Sequence, residues 1–376
     1  MSINIETKLE REISHTIKIY NEAHQKITNF LIRSPKLKPD LAKKEQWRFV
    51  TFLNNKIFHK MGFLIFDNTF WDFFMLFFYD SYGKSVATEI TFCGLTQSKR
   101  LDDVYYMLAD QESREVFDWF LRYRFGYAIM GLVAGDIFPY PSFNRNHNLS
   151  LIKHKRNLCM VNGHEIDFWR DWNEVENTWI NEQYLLAGKC EPQPGEIIID
   201  AGGFQGGTAI WFADKIGELG QVHSFEPLES NYLKMKENIH RNHLEQIITA
   251  INEGLWNINT DLFITDHLSA SYCSADHGDL KIKVTTLDTY VQAKKLERVN
   301  FIKMDIEGSE LNALKGASET IIKFKPKLAI SIYHLPGDIY EIPFFIKSLV
   351  PEYQLYLSHK FKGWNETVLF AVIDSE

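Results

Sequence analysis

Hydrophobic positions follow two different rhythms along this chain. In the first part they recur at helical spacing. Ile5, Leu9, Ile13, Ile17, Tyr20, Ile27 and Leu31 make one apolar stripe over residues 5–32, which predicts an amphipathic helix ending before Ser34-Pro35. Phe70, Phe73, Phe74, Phe77 and Phe78 follow the i, i+3, i+4, i+7, i+8 pattern of a helix face packed against protein. Residues 101–125 predict one or two further helices, with Val116, Phe117, Phe120 and Leu121 on a common face. Asn162-Gly163, set between short apolar runs, predicts a hairpin.

From about residue 183 the rhythm changes to strands alternating with helices, which predicts an α/β fold with a parallel sheet covered on both faces. Strands are expected at 196–200, 222–226, 247–251, 301–305 and 327–333, and helices at 206–217, 229–243, 309–323 and 338–349. Residues 353–358 and 366–372 are expected to close the chain as a hairpin on the sheet edge. An insertion at 260–295 carries further short strands at 262–265 and 281–287. Two regions follow from this division: a mostly helical or mixed one over 1–182, for substrate recognition or oligomerisation, and a sheet domain over 183–376.

Composition narrows the function classes. The 376 residues hold 41 Lys plus Arg against 49 Asp plus Glu, a formal net charge of −8. That balance disfavours nucleic acid as a partner, because phosphate neutralisation supplies most of such affinity. The aromatic stretch 61–79 contains Asp67 and Asp72, so a membrane span is not expected. Cys93, Cys159, Cys190 and Cys273 lie far apart, which excludes a C-x-x-C metal ribbon and fits a reducing compartment. The polar start lacks the apolar core of a secretion signal, and a cytoplasmic location is expected. The helix over 5–32 either packs on the body or pairs with a second copy, giving a homodimer.

The chemistry concentrates at the ends of the predicted strands. In IIIDAGGFQGGTAI (197–210) a strand ends in Asp200, and a turn with Gly202, Gly203, Gly206 and Gly207 opens a helix. Such glycines let a ligand approach the backbone at the carboxyl end of a strand. Phe204 stands where G-x-G-x-x-G has its second glycine, which weakens a nicotinamide reading. Glu226 ends the next strand, where a carboxylate can accept both hydroxyls of a ribose.

Three segments, DAGGFQGGT (200–208), SFEP (224–227) and KMDIEGSELNALKGA (303–317), resemble the FkbM family of S-adenosylmethionine-dependent methyltransferases. The resemblance covers about residues 183–376, with weaker similarity at 105–124. It implies a class I methyltransferase fold, a Rossmann-like doubly wound sheet of seven strands with the last antiparallel. It also implies S-adenosyl-L-methionine as cofactor and O-methylation of a sugar, glycan or glycosylated metabolite. The glycine turn departs from the commoner D-V-G-A-N-x-G, with Gly203 in place of Ala and Phe204 in place of Asn. The cofactor-binding set expected is Asp200, Gly202, Gly203, Gly206, Glu226, Pro227, Gly254, Leu255 and Asp305.

A methyl transfer to oxygen needs a nucleophile held in line and a group to take its proton. Strand alternation puts Lys303 and Asp305 on one face, with Glu307 at the carboxyl rim and Glu310 in the first turn of the following helix. Asp305, Glu307 and Lys303 are the catalytic candidates, against an internal salt bridge of Lys303 with Asp305 or Glu310. His334, after the fifth strand, is the candidate general base or acceptor ligand. Trp256 either stacks on an adenine or belongs to the core, and Ser269 and Ser271 line the substrate side. No metal site is expected: Asp305, Glu307 and His334 could converge on an ion, but no H-x-x-H or cysteine spacing supports one. The contrasting classes are a non-catalytic cofactor-binding scaffold and an NAD-linked oxidoreductase.

Overall fold

A computed structural model describes residues 97–130, 134–138, 153–155, 158–167, 172–265, 272–274, 280–361 and 365–373. The expectations for 5–32, for Phe70–Phe78, and for Ser269 and Ser271 lie outside these residues. The chain divides into two compact units, one of Arg100–Phe117 and Pro141–Glu376, the other of Met1–Lys99 and Asp118–Tyr140.

Two helices, α1 (Ser98–Met107) and α2 (Gln111–Met130), occupy the segment expected to be helical. Asp110 stands before α2 and accepts the amide of Ser113 at 2.8 Å, a side-chain N-cap. Val116, Phe117, Phe120 and Leu121 are all buried, as their spacing predicts. A three-stranded antiparallel sheet follows, β1 (Lys153–Lys155), β2 (Leu158–Val161) and β3 (His164–Asp167). Asn162 and Gly163, at φ 47° and 85°, make the two-residue turn between β2 and β3.

The main sheet then begins with β4 (Ile197–Ala201), α3 (Gly207–Ile216), β5 (Gln221–Phe225), α4 (Glu229–Arg241) and β6 (Ile248–Ile251). The insertion adds β7 (Gly254–Leu255), β8 (Thr260–Thr265), β9 (Tyr272–Ser274) and β10 (Leu280–Thr285), which form a sheet of order β7-β10-β8-β9. Next come α5 (Leu287–Lys294), β11 (Phe301–Met304), α6 (Glu310–Lys315), α7 (Ser318–Phe324), β12 (Lys327–Ser331), α8 (Asp338–Leu349), β13 (Gln354–His359) and β14 (Thr367–Val372).

The seven-stranded sheet has the order β13-β14-β12-β11-β4-β5-β6. β14 runs antiparallel to both of its neighbours, and the remaining neighbours pair in parallel. The terminal hairpin therefore sits at the sheet edge only through β13. Its last strand is inserted between β12 and β13, and all six residues of β14 are buried. Chain direction along the sheet reverses between β4 and β11, which places a crevice at their carboxyl ends.

α3 is apolar around most of its circumference, and Ala209, Ile210, Trp211 and Phe212 are at most 1% exposed. A helix of that composition must be covered on two sides. The β2–β3 hairpin joins the same hydrophobic cluster through Cys159, Val161 and Ile166. Asn238 on α4 and Asn242, the residue that caps its end, bond the outer backbone edge of β3. Each accepts an amide at 2.9 Å, from Asp167 and Glu165 respectively. At the opposite end of the fold, Ala109 donates its amide to the Leu355 carbonyl at 2.8 Å, and Ser113 accepts the Leu357 amide at 3.0 Å.

The helix expected over 309–323 is broken in two at Gly316-Ala317. A Cβ on Gly316 would stand 2.0 Å from the carbonyl oxygen of Trp256, so the backbone after β7 comes too close for any side chain there.

Candidate functional site

β4 delivers the chain to the sheet centre at Ala201, and three residues with positive φ then turn it: Gly202 (81°), Phe204 (44°) and Gly206 (93°). A Cβ on Gly202 would lie 1.9 Å from the carbonyl oxygen of Asp305, so glycine is what permits β4 and β11 to end side by side. The amides of Gly202 and Gly203 both reach the Phe225 carbonyl, at 3.0 and 2.9 Å. Gly206 is the N-cap of α3 and offers no capping side chain.

Asp200 and Lys303 pair with each other beneath the turn. Asp200 is fully buried there. Its Oδ2 accepts Thr208 at 2.9 Å and Ser224 at 2.7 Å, and its Oδ1 pairs with Lys303 Nζ at 3.1 Å. Lys303, 1% exposed, donates as well to the carbonyls of Ala201 (3.0 Å) and Gly202 (2.7 Å). Its salt bridge therefore runs to Asp200, a partner neither Asp305 nor Glu310 replaces, and it props the glycine turn from below. Gly203 fits the same arrangement: a Cβ there would stand 2.1 Å from Ser224 Oγ.

Glu226 follows β5 and is 6% exposed. Its oxygens accept the amides of Phe204 (3.0 Å) and Leu228 (2.9 Å), so it clips the glycine turn to the next loop. Burial raises its carboxyl to about 7, against the opposing pull of the Leu228 amide, the Asn231 side chain and the Phe204 amide. Asn252 donates to the Glu226 carbonyl at 3.0 Å and to that of Pro227 at 3.2 Å. Gly254 and Leu255 form β7, and Leu255 is 3% exposed. A Cβ on Gly254 would stand 3.5 Å from Pro227, which keeps these two residues of the expected set together. Trp256 packs against Leu262, Ile282 and Val284 and so belongs to the core.

Around Asp305 the structure gathers side chains from distant segments. Tyr184 donates to Oδ2 at 2.5 Å and Tyr333 to Oδ1 at 3.2 Å. Both phenols are raised well above 10 by burial and by the Asp305 charge, so both remain donors. His334 Nε2 stands 3.4 Å from Asp305 Oδ1 and 3.5 Å from Glu307 Oε2, and its Nδ1 stands 2.9 Å from Glu310 Oε1. Glu307 reaches this ring because Glu307 and Gly308, at φ 55° and 90°, turn the chain back over the strand end. Glu310, fully buried, also accepts the Ile306 amide at 2.8 Å.

The electrostatics follow from that crowding. Burial alone would lower His334, but Glu310, Glu307 and Asp305 outweigh it and hold the imidazole well above 6.5. A ring that keeps its proton near neutral pH is a donor toward the carboxylates around it. Burial would raise Asp305, yet His334 and Lys303 hold it below the usual carboxylate value, and it is ionised. Glu307 is pushed to about 7, by burial first and then by Asp305 and Glu310. Gln183 donates to Glu366, whose carboxyl burial and the Asp305 charge raise to about 8. Sequence reasoning missed Tyr184, Tyr333 and Glu366. Only Tyr333, adjacent to His334 at a strand end, carried a usable signal.

Residues 200–359 match the family model described as the methyltransferase FkbM domain. No curated protein matches the chain. Among solved structures, the chain is similar to methyltransferase FkbM from Methylobacillus flagellatus KT, with 21% identity and a TM-score of 0.52. That match covers 74% of this chain and 59% of the other, so the chain spans little more than half of that protein's length. A Bacillus cereus O-methyltransferase in complex with SAH matches at 15% identity, 55% and 83% coverage and a TM-score of 0.33. Aeropyrum pernix fibrillarin with bound S-adenosyl-L-methionine matches at 15% identity, 59% and 86% coverage and a TM-score of 0.36. The strand order and the first of these matches give the fold as the class I methyltransferase type, α/β with a mixed seven-stranded sheet.

Proposed function

We propose that the chain, whose residues 200–359 match the methyltransferase FkbM domain model, is an S-adenosylmethionine-dependent O-methyltransferase acting on a hydroxyl of a sugar or glycosylated metabolite. The observation that carries this is the ionised Asp305, fixed by two tyrosine donors beside the glycine turn.

The residues present fit the cofactor. Glu226 is buried at the end of β5, and each of its oxygens keeps acceptor capacity beyond the one backbone amide it holds, which suits a ribose diol. The first amides of α3 have no side-chain cap, which suits a carboxylate. Gly202, Gly206, Pro227 and Gly254 line the same approach, while Asp200, Gly203 and Lys303 shape it from beneath. When bound, S-adenosylmethionine supplies a methyl group activated by a sulfonium.

Asp305 orients the acceptor hydroxyl and takes its proton. A low carboxylate pKa does not disqualify it, because the hydroxyl proton becomes strongly acidic as its oxygen gains a carbon. The Tyr184 and Tyr333 hydroxyls hold Asp305 in one orientation, and the His334 charge keeps it ionised until the transfer. Residues 1–182 contribute acceptor recognition or subunit pairing in this scheme.

Calorimetry with S-adenosylmethionine and NAD in parallel tests the cofactor: binding of the first alone is expected, and binding of NAD alone would overturn the proposal. Release of S-adenosylhomocysteine across a panel of nucleotide sugars and free glycans then tests the acceptor class.

A further inference from the structure

We infer that Gln183 and Lys360 are positioning residues that aim the Tyr184 hydroxyl at Asp305. The inference rests on the reading of Asp305 as the group that takes the acceptor's proton, and it names what holds that carboxylate ready.

Tyr184 lies in an irregular segment, so its place is set by side chains and turns instead of a ladder. The chain arrives through a π-helical turn, Glu176–Ile180, which the Asn181 amide closes on the Glu176 carbonyl at 2.8 Å. Such turns occur often at functional sites. The Gln183 amide then reaches back to the Asn177 carbonyl at 3.0 Å, across Glu182 at φ 48°. A left-handed glutamate persists only where its surroundings enforce that conformation.

Lys360, just after β13, supplies the enforcement. Its Nζ donates to the carbonyls of Glu182 at 3.0 Å and Leu185 at 2.7 Å. Those two residues flank the Gln183-Tyr184 pair, so one ammonium clamps the backbone on both sides of it. The Glu182 carboxylate is tied in turn to Lys215 on α3. Burial holds the Lys360 ammonium below 10.5, against the opposing pull of Glu182 and Glu112.

Gln183 then sets the direction of the phenol. It is 4% exposed, and its Nε2 donates to Tyr184 Oη at 3.3 Å and to Glu366 Oε2. An amide nitrogen carries two hydrogens, one for each of these acceptors. With a donor already on Oη, the single phenol hydrogen turns to the other side, where Asp305 Oδ2 receives it. Glu366 is the fixed end of this row: it stands just before β14 at φ 72°, and its Oε1 accepts Asn365 at 3.1 Å.

The test labels tyrosine with 13C at Cζ in the full chain, free of ligand, because that shift reports the hydrogen bonding of the phenol. The Tyr184 signal is the one lost in Tyr184→Phe. Lys360→Met and Gln183→Met are each expected to move it more than any other tyrosine signal. Lys360→Arg, which keeps a cationic donor, is expected to leave it near its original position. Should Lys360→Met not fold, Gln183→Met and Lys360→Arg still read the same signal. In turnover, Gln183→Met and Lys360→Met are each expected to lower kcat about 3–10-fold, the worth of one hydrogen bond, with S-adenosylmethionine affinity unchanged. Neither is expected to lower it further in a Tyr184→Phe background. An unmoved Tyr184 signal in the folded variants, or losses that multiply with that of Tyr184→Phe, would overturn the inference. The labelling arm needs neither acceptor nor cofactor, so a moved signal without methyl transfer to any acceptor would fault the proposed activity and leave the positioning standing.

Discussion

The hydroxyl of Tyr184 donates to Oδ2 of Asp305 over 2.5 Å, although 121 positions separate them in the chain. The contact spans the segment before β4 and the end of β11, and it fixes the orientation of the carboxylate on which the proposed chemistry turns. Removing it should therefore be felt in turnover. A hydrogen bond to a charged group is worth about 1.5–3 kcal/mol. Tyr184→Phe is expected to lower kcat by roughly 10-fold or more while leaving S-adenosylmethionine affinity unchanged in calorimetry. Equal losses in both would assign the tyrosine to packing.

Glu226→Ala should weaken S-adenosylmethionine binding by ~1–3 kcal/mol, the cost of leaving buried hydroxyls without an acceptor. Isothermal titration at fixed pH checks this, and an unchanged Kd would remove Glu226 from the cofactor site.

The same residue sets a pH dependence. Its carboxyl is raised from 4.5 to about 7 in the ligand-free fold, chiefly by burial. Ribose donors favour the ionised form, so binding releases a proton, and affinity should rise with pH through about 7 and then level off. Folding responds to the same group: a carboxyl raised on folding stabilises the native state while neutral, and that contribution is lost as pH climbs from 4.5 to about 7. Titrations in two buffers of different ionisation enthalpy measure the released proton. Glu226→Gln should flatten the profile.

Gly203→Ala tests the packing under the turn. Its methyl would meet Ser224 Oγ at 2.1 Å, and overpacking of this kind costs about 1–3 kcal/mol. Ser224→Ala opens the space, so the double variant should be more stable than Gly203→Ala alone, as read by urea denaturation. Equal stability of the two would show that the turn relaxes elsewhere.

Lys303→Met should be the most damaging of these changes. It strands the buried Asp200 charge, and breaking a buried pair from one side costs about 3–5 kcal/mol. Urea denaturation of Lys303→Met against Lys303→Met with Asp200→Asn separates the stranded charge from lost packing, because the second change should recover part of the loss.

The regular elements of the second half were legible because period and punctuation agree there. Residues 338–349 form α8 with the expected bounds; in the first part, Asn162-Gly163 turns the hairpin it predicts. The break at Gly316 was hidden because its cause is the Trp256 carbonyl, about sixty positions away. The site divided along the same line. Asp305, Glu307, Glu310 and His334 lie at the ends of neighbouring strands, so topology alone brings them together. Alternation put Lys303 on the face of Asp305, but a face does not reveal a partner, and its ammonium turned toward Asp200 on the adjacent strand. Tyr184 belongs to an irregular segment, where no period reports direction.

The asparagines at the carboxyl end of α4 and the α1–α2 junction have a consequence for how copies of this chain meet. Asn238 and Asn242 occupy the outer backbone of β3. Ala109 and Ser113 occupy that of β13. Each is a place where a foreign strand could otherwise add and begin a ribbon that extends without limit. With both seams closed from within, association through these borders must use side-chain surfaces of finite extent, and the molecule carries its own guard against aggregation there.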